Sequence, residues 1–171
     1  MNVLTTASRR LASGSSRAYL TRPVASYGYR SARTVTTLSE TKYTAKATAT
    51  GAGRNGTVES NGLSLNLATP KELGGTGNGQ NPEQLFAMGY AGCFLGAVQF
   101  QAKQHGRPEV GEKAKVHTEV HIGTPTGGSG FGLAVDITVE GVDQEILQAA
   151  HAMCPYSRAT KGNIVVNVKS A

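Results

Sequence analysis

The chain has 171 residues, room for one domain with its own core, and a net charge of +6. Residues 1–39 hold six of the 17 Lys and Arg (Arg9, Arg10, Arg17, Arg22, Arg30 and Arg33) and no acid, leaving 11 basic residues against all 11 acids in residues 40–171. The part that folds is therefore neutral, which removes the main support for a nucleic-acid partner. Two cysteines 61 positions apart make neither a disulfide scaffold nor a zinc site.

Residues 1–39 are rich in Ser, Thr, Ala and Arg, the make-up of a mitochondrial transit peptide. Leu4, Ala7 and Leu11 would share one helical face, with Arg9, Arg10 and Arg17 on the other. No continuous apolar run suits a secretory signal or a membrane span. Residues 1–39 are thus expected to be a leader removed on import, and 40–171 the working domain in the mitochondrial matrix. A basic tail that binds an acidic partner is the alternative.

From Lys42 the alternation of Ala45, Ala47 and Ala49 with Lys46, Thr48 and Thr50 predicts a strand, weakened by its alanines. Residues 51–56 form a Gly/Asn turn, Thr57–Ser60 a second strand, and Asn61-Gly62 a two-residue hairpin leading into the alternation of Leu63, Leu65 and Leu67. The result is a three-stranded antiparallel meander. Residues 68–80 form a loop with Gly74, Gly75, Gly77 and Gly79; no Gly-Lys-Ser/Thr follows, so it is not a phosphate loop.

A long helix comes next. Asn81 suits the N-cap, Pro82 the first helical position, Glu83 the first turn and Gly106 the stop, giving about 24 residues, roughly 36 Å. Small residues (Ala87, Gly89, Ala91, Gly92, Gly96) alternate with large ones (Leu85, Phe86, Phe94, Leu95, Phe100), so the helix is apolar on most sides and expected to be buried on most sides. Its three internal glycines each cost about 1 kcal/mol relative to Ala, which predicts close approach by a neighbouring element.

Residues 106–113 read as a polar link. Val116, Thr118, Val120 and Ile122 mark one strand, and Phe131, Leu133, Val135, Ile137 and Val139 another, across a Gly/Pro/Ser turn at 123–130. His117 and His121 share the polar face of the first, where ordinary surface polarity accounts for them better than a metal does. Asp143 caps a shorter helix that ends at Cys154-Pro155; Tyr156–Gly162 reads as a loop; Ile164, Val166 and Val168 mark a last strand. The order β-β-β-α-β-β-α-β, dominated by hairpins, defines an α+β class with largely antiparallel sheet.

Cys93 lies about three turns into an apolar helix, where burial alone raises a thiol's pKa and leaves it inert. A reactive Cys93 needs a fixed cation, and Arg54, in a glycine-rich turn, stands out among Arg54, Arg107 and Arg158. Cys154 closes a helix, where the dipole disfavours a thiolate. On these grounds two structural cysteines and a redox pair are equally open.

Three motifs go further. Residues 81–87 (Asn-Pro-Glu-Gln-Leu-Phe-Ala), with Gly89-Tyr90-Ala91 and Cys93-Phe94, resemble the first cysteine motif of the organic hydroperoxide resistance (Ohr) family. His151–Ser157 (His-Ala-Met-Cys-Pro-Tyr-Ser) and Ala159–Asn163 resemble its second, and Thr69–Gly75 its glycine-rich loop. The resemblance spans about residues 43–169 and is closer to Ohr than to its OsmC sister group.

It implies an OsmC/Ohr-like fold in an interwoven homodimer and a thiol peroxidase, a lipoyl-dependent, peroxiredoxin-type organic hydroperoxide reductase. Cys93 would attack the O–O bond, and Cys154 would resolve the resulting sulfenic acid as an intramolecular disulfide. Arg54 would hold the thiolate, and Glu83 would orient Arg54 through a bidentate pair. A lipoylated protein would be the reductant, with no metal or organic cofactor. Glu83 and Cys93 lie about 15 Å apart along one helix, too far for one guanidinium. Either the helix begins later, or Glu83 arrives from a second chain. Leu85, Phe86, Phe94 and Phe131 are the expected pocket lining, favouring alkyl and fatty-acid hydroperoxides. A cysteine hydrolase or acyltransferase, with His151 as base, and a binding module for an apolar ligand are the rival readings.

Overall fold

The computed structural model describes residues 35–171, so the expected leader helix and most of residues 1–39 lie outside the described residues. Thr44–Ala171 form one compact unit. Its elements are β1 (Thr48–Thr50), β2 (Thr57–Ser60), β3 (Leu63–Asn66), α1 (Pro82–Gln104), α2 (Pro108–Lys113), β4 (Lys115–Gly123), β5 (Gly132–Glu140), α3 (Gln144–Met153), α4 (Pro155–Thr160) and β6 (Val165–Ser170).

Strands β1–β3 form the antiparallel meander, with Val58 opposite Ala49 on one side and Leu65 on the other. Asn61 and Gly62 both adopt positive φ (47° and 82°), the twist that a two-residue hairpin requires. No residue of these strands is buried, and the meander has no substantial contact with the second sheet or with the helices.

The second sheet, β4-β5-β6, carries the core. β4 and β5 are antiparallel over nine residues each, and β6 returns parallel to β5 through the α3–α4 crossover. Val135, Ile137 and Val139 of β5 are fully buried against Tyr90, Phe94 and Val98 of α1 and Ile146, Leu147 and Ala150 of α3.

Helix α1 opens as its residues dictate. Asn81 Oδ1 accepts from Gln84 N–H, Gln84 Oε1 accepts from Asn81 N–H, and Pro82 follows the cap. It is long and apolar enough to cross a membrane by length and composition, yet its stripe Tyr90, Phe94, Ala97, Val98 and Ala102 forms the protein core. The expectation of burial on most sides fails within this chain: Met88 is 54% and Phe100 48% exposed, and nothing approaches the positions of Gly92 and Gly96. Only Gly89 meets a neighbour, the ring of Tyr156.

Two short helices replace expected irregular segments. α2 occupies the polar link and α4 the loop after Cys154. In both, a proline is the first helical residue, a position that suits its fixed φ and missing N–H.

Candidate active site

Cys93 sits on the middle of α1, half-buried at the edge of the core; Cys154 is fully buried where α3 ends and α4 begins. Their sulfurs lie 3.5 Å apart, both free, with the Cys154 thiol donating to Cys93. Packing of α3 on α1 brings them together, aided by a 3.3 Å hydrogen bond from Gln101 Nε2 to Met153 Sδ. Pro155 and Tyr156 occupy the first two positions of α4, and since proline has no N–H, Tyr156 carries the first free amide of the helix. That amide donates to Cys93.

Burial pushes the Cys93 thiol pKa up; the Tyr156 amide opposes this, and the neighbouring Cys154 adds to it. No cation among the described residues takes part. Arg54 is engaged elsewhere: its Nη2 donates to Glu83 Oε2 of the same chain at 2.5 Å. The turn carrying Arg54 is tied to the approach to α1. Leu67 N–H donates to Gly56 O, Thr69 N–H to Asn55 Oδ1, and Leu67 pairs with Gln80.

This corrects two expectations. α1 begins at Pro82, which rules out the later helix start, and Glu83 holds Arg54 of its own chain there, so that guanidinium does not reach Cys93 of the same chain. The pair is held by one hydrogen bond rather than two, and Arg54 Nε is buried without a partner. The four expected residues thus form two pairs, Cys93 with Cys154 and Arg54 with Glu83.

The expected pocket residues divide. Phe86 stacks on Tyr156 (centroids 6.1 Å, 19°) and meets Tyr90 edge-on, while Leu85 is half-buried. Phe94 is fully buried, so within this chain it is core, not pocket lining. Phe131 is 69% exposed in the turn ahead of β5. Apolarity alone points to both residues, and apolarity does not separate core from pocket.

A buried polar network adjoins the cysteines. Tyr90 Oη donates to Ser157 Oγ at 2.9 Å, and Ser157 Oγ lies 3.0 Å from His151 Nδ1. Burial, then Lys161, lowers the His151 pKa, favouring the neutral ring. The motif around Cys154 contains His151 and Ser157, but sequence alone assigns this network to neither; a Tyr, a Ser and a His clustered around two cysteine motifs is the available signal.

None of the four histidines is hydrogen-bonded to a cysteine. His105 meets Gln101 O, His117 meets Glu140, His121 meets Asp136, and His151 meets Ser157. The thiol–imidazole pair that a cysteine hydrolase needs is therefore not formed. Glu119, His121 and Asp136 place one ligand atom each within 4.8 Å of one another on the outer face of β4 and β5. Asp136, however, is already hydrogen-bonded to His121 and to Asn167, as a polar surface requires.

An α+β core that holds a free thiol on its central helix at near-bonding range of a second at the α3–α4 corner has the make-up of an OsmC-type redox protein, and residues 75–169 match the OsmC-like protein family model. An organic hydroperoxide resistance protein of Xanthomonas axonopodis pv. citri (strain 306) is 48% identical over 136 residues, covering 75% of this chain and 94% of that protein. The structure of an organic hydroperoxide resistance protein from Legionella pneumophila superposes with a TM-score of 0.69 at 38% identity, over 77% of this chain and 99% of that one. OhrB of Bacillus subtilis gives 0.65 at 36%, over 75% and 98%. The chain belongs to the OsmC-like family and, within it, to the organic hydroperoxide resistance proteins.

Proposed function

We propose that the protein reduces organic hydroperoxides and so protects against oxidative stress. The approach of two free sulfurs, from residues 61 apart, to 3.5 Å carries this reading. The Cys93 thiolate attacks the O–O bond of ROOH; an alkoxide leaves and takes a proton as ROH, and Cys93 becomes a sulfenic acid. The Cys154 thiol then attacks that sulfur; an S–S bond forms and water leaves. An external dithiol, in our reading the dihydrolipoyl group of a lipoylated protein, reduces the disulfide and is itself oxidised to one. The balance needs no metal or organic cofactor. A matrix location, reached through the leader at residues 1–39, would supply that reductant.

Arg54 completes the site in this proposal. Cys93 is a buried thiol with no cation, and Arg54 keeps Nε unpaired while Glu83 holds its other end. One chain separates the two pairs along α1, so the reading calls for a homodimer in which Arg54 of a second copy faces Cys93. The uncovered apolar face of α1 and the meander, which among the described residues makes no substantial contact with the helices or the second sheet, support the same assembly. On this proposal the stacked Phe86 and Tyr156 offer the hydroperoxide an apolar surface, suited to alkyl and fatty-acyl hydroperoxides over hydrogen peroxide.

The test is thiol titration of the reduced protein after one equivalent of tert-butyl hydroperoxide. Two thiols are lost per chain, and Cys154→Ser traps a sulfenic acid at Cys93. No loss of thiol refutes the proposal and favours an apolar-ligand module with inert cysteines.

A further inference from the structure

Ser157 is buried, 3% exposed, and its single hydroxyl joins three helices. Tyr90 of α1 donates to it, so its own hydrogen can go to Nδ1 of a neutral His151 on α3, while Ser157 itself belongs to α4. The corner between α3 and α4 is Cys154, whose φ of −54° and ψ of 124° leave the helical region. The Ser157–His151 contact ties α3 directly to α4 across that corner.

The geometry of the corner decides two things at the sulfurs. It aims the Tyr156 amide at Cys93, and it sets the Cys154 sulfur 3.5 Å from its partner. Thr160 ties the same short helix internally, its hydroxyl donating to the carbonyls of Tyr156 and Ser157. The Tyr156 amide and the Cys154 sulfur both belong to this corner, so a change in its geometry alters both.

We propose that Ser157, clamped between Tyr90 and His151, is a positioning residue for the Cys93–Cys154 pair, fixing the α3–α4 corner so that the thiolate is stabilised and the second sulfur is within reach of the sulfenic acid. The proposal rests on the peroxidase reading above. It concerns groups that touch neither the hydroperoxide nor the reacting sulfurs, so its effect appears in the charge state of Cys93 and in disulfide formation.

The experiment compares the full chain with Ser157→Ala, Tyr90→Phe and Ser157→Thr. Sulfenic acid formation and its conversion to disulfide are followed by stopped flow after one equivalent of tert-butyl hydroperoxide. The Cys93 titration is read from thiolate absorbance in a Cys154→Ser background. Ser157→Ala is expected to slow disulfide formation by about ten-fold or more, because sub-ångström misplacement of reacting atoms is costly. It should also move the Cys93 titration to higher pH, and Tyr90→Phe should do the same to a smaller degree. Ser157→Thr, which keeps the hydroxyl, restores both.

Leu147→Ala serves as a comparison that loosens the same core without touching the network. If it reproduces both changes, or if folded Ser157→Ala and Tyr90→Phe match wild type in both, the positioning role is overturned. Should Ser157→Ala fail to fold, Tyr90→Phe decides alone. Wild type losing no thiol would instead refute the peroxidase reading itself, so the two failures are distinct.

Discussion

Gly89→Ala tests how the Tyr156 ring is seated beside the cysteines. A Cβ at Gly89 would lie 3.2 Å from Tyr156 Oη and 3.3 Å from Cε2, tighter than ordinary contact by a few tenths of an ångström. Alanine gains about 1 kcal/mol over glycine in a helix interior. Against that stands the ring packing of Tyr156 with Phe86 and Tyr90, at centroid distances of 6.1 and 5.6 Å. Such aromatic pairs are worth roughly 0.5–1.5 kcal/mol each. A ring shift of a few tenths of an ångström forfeits only a fraction of that packing, so the two effects nearly cancel and Gly89→Ala should change stability by less than about 0.5 kcal/mol. With the ring removed by Tyr156→Ala, the same substitution should stabilise by the full ~1 kcal/mol. Urea denaturation of the reduced protein at fixed protomer concentration, arranged as a double-mutant cycle, measures the difference. Equal gains in both backgrounds would show that Tyr156 does not need the glycine, and the reasoning fails.

Arg54→Lys, which loses the planar fork, should lower the rate of tert-butyl hydroperoxide reduction by at least about ten-fold with the fold intact by circular dichroism; unchanged turnover removes Arg54 from the site. Asn81→Ala should cost about 1 kcal/mol in urea denaturation, since it breaks the side-chain half of the capping box. Acid should destabilise the protein in two stages. Burial lowers the His151 pKa, so the unfolded chain binds the extra proton and stability falls as pH drops below about 6.5. Asn167, then His121, holds Asp136 below the usual carboxylate range, and His117, then Lys115, does the same for Glu140. Their contribution is present above about pH 4 and lost as pH falls through the lowered values. His151→Gln should flatten only the first stage of urea midpoint against pH.

The parts of the fold that are legible in sequence are those where local chemistry and tertiary packing agree. Asn81, Pro82 and Gly106 bracket α1, Asn61-Gly62 closes the first hairpin, and alternation along β4 and β5 separates core from surface. Pro155 is legible as the terminator of α3, but the same residue opens α4, and Pro108 opens α2 in the same way, so a proline read only as a breaker hides a helix. The cysteine pair is legible only through its motifs; nothing local at Cys93 or Cys154 announces a neighbour 61 residues away. The Arg54–Glu83 pair is legible too, but its place relative to Cys93 is not. Hydrogen bonds between residues 55–56 and 67–69 anchor the Arg54 turn at the start of the helix, and no local pattern reveals them. Phe94 and Phe131 show the same limit: composition marks a side chain as apolar, and only packing says which surface it faces.

The distribution of uncovered surface bears on why a helix this apolar carries the reactive thiol. α1 presents one stripe to its own sheet and α3 and leaves Met88, Phe100 and the open positions of Gly92 and Gly96 uncovered. A helix apolar on all sides is stable in water only when covered all round, and a second copy of the chain can supply the missing cover. Covering α1 would further desolvate Cys93, a thiol whose pKa is already raised by burial, and by itself would make it less reactive. In the proposed dimer, assembly helps catalysis only if it also delivers positive charge, and on that proposal Arg54, held by Glu83 with Nε unpartnered, is the cation delivered. Burial and charge must arrive together. This predicts a protomer-concentration dependence in the Cys93 titration: dilution to monomer should move it to higher pH although the sulfur becomes more exposed, the opposite of what loss of burial alone would do.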